Sequence, residues 1–289
     1  TPTNFRFSIN SAHKVGRHAV QNICFDPHSL RVAVSMGSQL IYAGESENFK
    51  EIPYFGKQIY DLHVGTWLDS SKIICISPDG IVQVWNPIDK ALTSTFCLVP
   101  CPAVIGETST HYQFYLIGSS FCKIDLKTDR LIDEGQKLEG LYPTAALGIE
   151  NGCAIGCGDG KIIEIRDDRS IILRCEHHGD PIVAICPRRD TKVGYVAGTM
   201  SGLFDIVGED GIQTIHIQLK TRVLNFCTLS DIPNLLVIVT EDGIPSVYDL
   251  ETGGIKIIPN LVRITKCCAH PTLPYAAFGS QDGNVYIVN

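Results

Sequence analysis

The side chains best able to do chemistry are the cysteines and histidines, 12 and 9 of them in 289 residues. Structural zinc takes two close ligand pairs brought together. The pairs available are Cys97 with Cys101, Cys153 with Cys157, and the adjacent His177-His178. On a strand, Cys153 and Cys157 would share a face about 13 Å apart, too far to chelate one ion. No CxxC pair occurs, so core thiols are the expected reading and no metal is expected. Gly156-Cys157-Gly158-Asp159-Gly160-Lys161 resembles a phosphate loop, but such a loop needs a helix start behind it to aim backbone amides at the anion. Ile162-Ile163-Glu164-Ile165 follows instead and reads as a strand, which makes the glycine-rich segment a hairpin turn. There is no Gly-x-Ser-x-Gly elbow and no Cys/His set at nucleophile–base spacing. The expectation is a chain that is not an enzyme and needs no cofactor.

Composition narrows the class. With 44% hydrophobic and 19% charged residues the chain is too apolar for general disorder, and its glycine and proline are too few for a collagenous or low-complexity sequence. No apolar stretch approaches the roughly 18 residues of a membrane helix, so no membrane insertion is expected. The net charge of −7 weighs against a general nucleic-acid binder, although local patches can override it. The cysteines are dilute and no Asn-X-Ser/Thr sequon occurs, which points to reduced thiols in an intracellular protein, cytoplasmic before nuclear. The chain opens on Thr, in keeping with a processed protein or a piece of a longer one.

What must position these residues is a set of short strands. β-branched and aromatic runs such as Lys72–Ile76, Tyr195–Gly198 and Leu235–Val239 stop at turn residues every eight to twelve positions. A tight-turn glycine recurs at Gly80, Gly160, Gly202, Gly243 and Gly283, at intervals of 80, 42, 41 and 40 residues. The first interval is two steps, with the skipped turn at Ser119-Ser120, and Gly37-Ser38 lies one step before Gly80. Seven units of about 40 residues therefore span the chain. After each glycine comes a strand apolar on both faces, as in Val82, Val84 and Trp85 or Val285, Ile287 and Val288, and Glu164 breaks that rule. Upstream, aligning Val20-x-x-Ile23, Ile182-x-x-Ile185, Val223-x-x-Phe226 and Ile264-x-x-Cys267 places Cys24, Cys186, Cys227 and Cys268 at one equivalent position. These four thiols are expected to be buried, reduced and metal-free on innermost strands.

Four strands per unit, a to d, with the glycine between b and c, predict an all-β, seven-bladed β-propeller with four antiparallel strands per blade. The pattern resembles a divergent WD-repeat propeller: Trp85-Asn86 and Tyr248-Asp249 stand where that family's repeats carry Trp-Asp, and Phe25-Asp26-Pro27 resembles its turn between strands a and b. The family often pairs a loop His with a turn Asp to brace a blade. His178-Gly179 sits in the right loop but faces Thr199-Met200-Ser201-Gly202, so such bracing should be largely absent. The last unit has strands a, b and c only, while Phe5–Ile9 is spare at the N-terminus. The resemblance implies that Phe5–Ile9 closes the last blade, and residues 1–289 are expected to form one complete propeller domain. Closure removes exposed sheet edges.

In a propeller the d–a and b–c loops share one face, and in the WD-repeat family that face commonly binds partners. The d–a loops entering blades six, seven, one and two carry Lys220 and Arg222, then Arg263, then Lys14, Arg17 and His18, then Lys57. Lys14, Arg17, Lys57, Arg222 and Arg263 are the candidate partner-binding residues, with Asp79, Glu241, Asp242 and Asp282 on the same face as partial neutralisers. The expected function is a non-catalytic protein–protein interaction scaffold within a larger intracellular complex. The alternative is a propeller that reads an acidic or phosphorylated peptide through this basic arc. Nucleic acid would need a strong, aromatic-lined arc, for which Tyr60 and Tyr142 are the nearby candidates.

Overall fold

Every described element is a strand. The computed structural model describes residues 6–44, 49–98, 101, 103–133, 137–191 and 193–289. After β1 (Ile9–Lys14), one sheet holds β2 (Asn22–Phe25), β3 (Val32–Met36), β4 (Gln39–Ala43) and β5 (Lys50–Ile52). The next holds β6 (Asp61–Trp67), β7 (Ser70–Ile76), β8 (Ile81–Asn86) and β9 (Ala91–Cys97). β10 (Val104–Glu107), β11 (Gln113–Ile117), β12 (Phe121–Asp125) and β13 (Arg130–Asp133) share an eight-stranded sheet with β14 (Pro143–Ile149), β15 (Gly152–Cys157), β16 (Lys161–Arg166) and β17 (Ile171–Glu176). Then come β18 (Ile182–Pro187), β19 (Tyr195–Thr199), β20 (Leu203–Gly208) and β21 (Gly211–His216). β22 (Val223–Thr228), β23 (Leu235–Thr240), β24 (Ser246–Asp249) and β25 (Ile255–Ile257) follow. The last sheet is β26 (Ile264–Ala269), β27 (Ala276–Ser280) and β28 (Asn284–Val288), with β1 as its outer strand.

The described residues form six hydrogen-bonded sheets where seven separate ones were expected. The reason is local. The innermost strands β10 and β14 run close enough to form one parallel bridge, Glu107 to Leu147, which joins two antiparallel sets of four. Among the described residues no sheet closes on itself by hydrogen bonds. Side-by-side packing of the innermost strands nevertheless runs β2, β6, β10, β14, β18, β22, β26 and back to β2. Apolar clusters fill the spaces between neighbouring sets. Val237 and Val239 meet Ala276 and Phe278 in one, while Val32 and Ile41 meet Ala277 and Ile287 in another.

The burial gradient explains which strands were easy to read. The second strand of each set lies between two neighbours, so β3, β19 and β23 are buried along their whole length. Outer strands face solvent, and all three residues of β25 are exposed. The N-terminal strand belongs to this outer class, and its expected span needs correction. The strand that completes the last sheet is Ile9–Lys14, paired from Ile9 with Val288 to Lys14 with Asn284, and not Phe5–Ile9. Ser8 and Asn289 extend the pairing through two backbone bonds of 3.0 Å, Phe7 packs on the adjacent core, and Phe5 lies outside the described residues. Phe5-Arg6-Phe7-Ser8-Ile9 alternates as a half-buried strand would, but an outer strand is held mainly through its backbone and tolerates Asn10, Ser11, His13 and Lys14.

Candidate partner interface

The recurring glycines do what their spacing predicts. Gly37, Gly80, Gly160, Gly202, Gly243 and Gly283 all have positive φ, between 64 and 100°. Their carbonyls receive the chain as it leaves one sheet for the next: Leu98 N–H bonds to Gly80, His177 to Gly160, Ile217 to Gly202 and Val15 to Gly283, at 2.8–2.9 Å. Leu138 bonds in the same way to Ser119, the turn without a glycine. Each d–a loop is thus tied to the b–c turn beneath it, and both kinds of loop form one face.

That face carries all five candidate residues, and all five are exposed. Lys14 ends β1 and Arg17 follows it, Lys57 lies between β5 and β6, Arg222 precedes β22, and Arg263 precedes β26. Their loops enter β22, β26, β2 and β6, which are consecutive in the ring of inner strands. The loops are pinned. Leu261 and Ile59 are buried anchors, Glu241 N–H bonds to Arg222 O at 2.9 Å, and Gln281 N–H bonds to Arg263 O at 2.7 Å. Tyr54 donates its hydroxyl to Lys57 O at 2.8 Å, and the Gln58 amide reaches Gln21 Oε1 at 2.9 Å, joining the loops that carry Lys57 and Arg17.

Two of the acidic neighbours are fixed within their own turns and one pairs with a cation of the arc. Asp79 is taken up by the Ser77 hydroxyl, and Asp242 by the Thr240 hydroxyl at 2.6 Å and Ile244 N–H at 3.1 Å. Asp282 pairs with Arg263 at 2.9 Å, so Arg263 is the least available of the five. Lys14, Arg17, Lys57 and Arg222 form no ion pair with a described residue.

Sequence reasoning missed two features here. The first is apolar: Phe55 (55% exposed) and Val262 (61%) stand beside Lys57 and Arg263, and Ile244 is exposed on the same face, as is Tyr60, the aromatic already noted from the sequence. Phe55 is held edge-on to Trp85 at 6.3 Å while Gln83 grips its carbonyl. Tyr142 is also exposed but belongs to the loop entering β14, outside the arc. The second is bracing. It exists with other residues than the expected His and Asp: Asp180 of the loop accepts from Ser201 N–H at 3.1 Å and from its hydroxyl at 2.5 Å, and Thr221 Oγ1 accepts from Asp242 N–H at 3.3 Å.

The inner strands surround a cavity of about 240 Å³ lined by Asp61, His63, Glu107, Arg189 and Lys266 among others. Asp61 accepts from Leu62 N–H at 2.9 Å and Ile105 N–H at 2.8 Å, and burial pushes its carboxyl up. Burial lowers the Lys266 ammonium, an effect the Asp61 charge opposes. For Glu107, burial is outweighed by the His111 hydrogen bond at 3.0 Å and by nearby His63, so its carboxyl stays below the usual range. The four equivalent cysteines lie on inner strands and all four line this cavity, but the expected burial holds only for Cys227; Cys24, Cys186 and Cys268 are half-buried. Cys24 Sγ comes within 3.8 Å of His63 Nδ1, and Glu107 approaches that same nitrogen at 4.0 Å. A nucleophile–base–orienter relay uses both ring nitrogens. Here burial also pushes the Cys24 thiol well up, which disfavours a thiolate.

No protein-family model matches the chain, and no curated protein matches it. Among solved structures it resembles the crystal structure of Chaetomium thermophilum Raptor, with a TM-score of 0.82 and 15% identity over 98% of this chain. The chain spans 29% of the length of that protein. At this identity the likeness concerns the fold, which is β-propeller-like.

Proposed function

We propose that residues 1–289 form one seven-bladed, WD-repeat-like propeller that works as a non-catalytic protein-interaction platform in a larger intracellular assembly. Dividing the eight-stranded sheet at its single parallel bridge yields seven four-stranded blades, in step with the seven sequence units. The observation that carries the functional reading is the pinned loop face around β22, β26, β2 and β6. There, Lys14, Arg17, Lys57 and Arg222, which pair with no described acid, alternate with exposed Phe55, Tyr60 and Val262. Aromatic anchors with arginine are what protein interfaces enrich, and preformed loops lose little entropy on binding. These four cations favour an acidic partner, and a phosphorylated peptide is the second reading. The intracellular setting rests on the thiol argument made from the sequence.

The test is a native-extract pull-down with the intact chain, followed by titration of the recovered partner against wild type and Phe55→Ala. Loss of affinity in Phe55→Ala supports the loop face, and unchanged affinity moves the interface elsewhere. Phosphatase treatment of the partner separates the two readings: binding that survives it belongs to an acidic protein surface, and binding that disappears belongs to a phosphopeptide.

A further inference from the structure

Three groups able to bind a metal converge between the sheet that ends in β17 and the sheet that starts at β18. Cys175 lies on β17 and His177 just beyond it, two residues apart, so strand alternation sends both side chains to one face. The His177 N–H bond to Gly160 O, at 2.8 Å, keeps the chain extended past the end of the strand. Asp205, on β20, is fully buried opposite them. His177 Nε2 is 2.6 Å from Asp205 Oδ2 and 3.5 Å from Cys175 Sγ, and the three ligand atoms lie within 4.8 Å of one another. Thr214 donates its hydroxyl to Asp205 Oδ1 at 2.6 Å, which leaves Oδ2 turned toward the cluster.

A Cys–His–Asp relay would place thiol and carboxylate on opposite ring nitrogens, so that the imidazole could pass a proton between them. Here both face Nε2. Three different donor atoms aimed at one small volume are what a shared cation requires. With zinc bonds of about 2.0–2.1 Å to nitrogen and 2.3 Å to sulfur, a tetrahedral site sets N and S about 3.5 Å apart. That is the separation observed. Nitrogen and carboxylate oxygen would open from 2.6 Å to about 3.3 Å once a metal replaced the hydrogen bond between them.

We propose that Cys175, His177 and Asp205 form a three-ligand site for a zinc-class divalent cation that bridges two neighbouring sheets and leaves a fourth position for water. The donor set of one sulfur, one nitrogen and one oxygen suits a borderline-soft ion. Charge balances: a thiolate and a carboxylate offset the two positive charges. In the exchange Cys175 releases its proton to solvent, while the Nε2 proton that His177 donates to Asp205 is given up and one is taken on at Nδ1 through solvent, so that Nε2 offers a lone pair with no net proton change at the ring. Cys175 and His177 are half-buried, which gives the ion a route in from the edge. This site is separate from the loop arc and does not depend on the interface reading.

The test uses the intact chain, stripped with a chelator and titrated with Zn²⁺ and then Co²⁺. Wild type should bind one equivalent, release about one proton per metal near neutral pH, and show thiolate-to-cobalt charge-transfer absorption. Cys175→Ser should abolish that absorption and weaken zinc by more than the roughly 10–100-fold typical of an outer-sphere change. Cys97→Ser, an exposed cysteine elsewhere, should change neither. Circular dichroism of the metal-free variants checks that they fold. Absence of stoichiometric binding by wild type, a cobalt spectrum without the thiolate band, or a band unaltered in Cys175→Ser would each overturn the proposal, and the wild-type spectrum decides even if a variant misfolds.

Discussion

Among single residues, the turn glycines carry the most constrained backbone. Gly160 has φ +93°, and a Cβ there would come within 1.7 Å of His177 O, the carbonyl of the chain crossing above it. Gly160→Ala should therefore destabilise by more than about 1 kcal/mol, since strain and clash add to the ordinary cost of a left-handed residue. Chemical denaturation measures this, and a change within error would show that the crossing chain yields. Glu164, the exception among the apolar positions, is buried yet not isolated: Arg166 and Arg174 reach it at 2.7 and 3.1 Å. His270 is fully buried, donating from Nε2 to Ser29 O at 3.0 Å while Nδ1 accepts from Leu273 N–H at 3.0 Å. Burial holds its pKa below the free value of 6.5, against the pull of the Ser29 bond, so the unfolded chain takes up a proton before the native one does. The stabilisation from this neutral ring is complete above about pH 6.5 and fades as pH falls toward the native pKa. An NMR titration should find His270 neutral and Nε2-protonated at pH 6.5. A midpoint at or above that value contradicts the assignment.

At the scale of elements, the decisive pairing is β1 with β28, which joins the two ends of the described chain. Deleting residues 1–14 removes that outer strand while sparing Val15 and Val20, which pack into the neighbouring core. We expect a loss of at least about 3 kcal/mol, or roughly 6–12 °C in melting temperature for a chain of this size or somewhat smaller. The uncovered edge of β28 should also promote association, because unpaired strand edges template pairing. Scanning calorimetry and light scattering read both effects. A deletion variant that melts like wild type and stays monomeric would mean that β28 ends its sheet without help.

At the scale of the whole molecule, charge is distributed unevenly over an acidic chain. Asp79 and Asp242 of the loop face are tied into their own turns and Asp282 into Arg263, while Lys14, Arg17, Lys57 and Arg222 are not tied to any described acid. Arg17→Glu with Arg222→Glu should leave stability within about 1 kcal/mol, as exposed charges contribute little. Against the partner recovered from extract, the same pair should slow association and flatten its dependence on salt. Arg263 is a poorer choice for this test because Asp282 already engages it at 2.9 Å. Wild-type association kinetics in the double variant would make the arc ordinary solvated surface.

The period of the chain was legible in its residues because a tight turn beneath a crossing loop demands positive φ, and glycine at 80, 160, 202, 243 and 283 records that demand. The inner sheet strands were legible because burial on both faces leaves continuous apolar runs. β1 was misplaced because a strand on the outside is specified by backbone pairing, which leaves little trace in side chains. The loop arc was located by counting, whereas the availability of its charges was set by whether each acid bonds to its own turn or to an arginine. Two joined sheets replaced two separate ones through a single bridge between Glu107 and Leu147, a distance that no local pattern encodes. Asp205 meets His177 from 28 positions away, Asp180 meets Ser201 from 21, and Lys72 meets Asp129 from 57. Local sequence determines turns and strands because they depend on neighbouring φ, ψ and burial. Which polar groups meet across the gaps between sheets depends on how those sheets pack, and only the tertiary structure decides it.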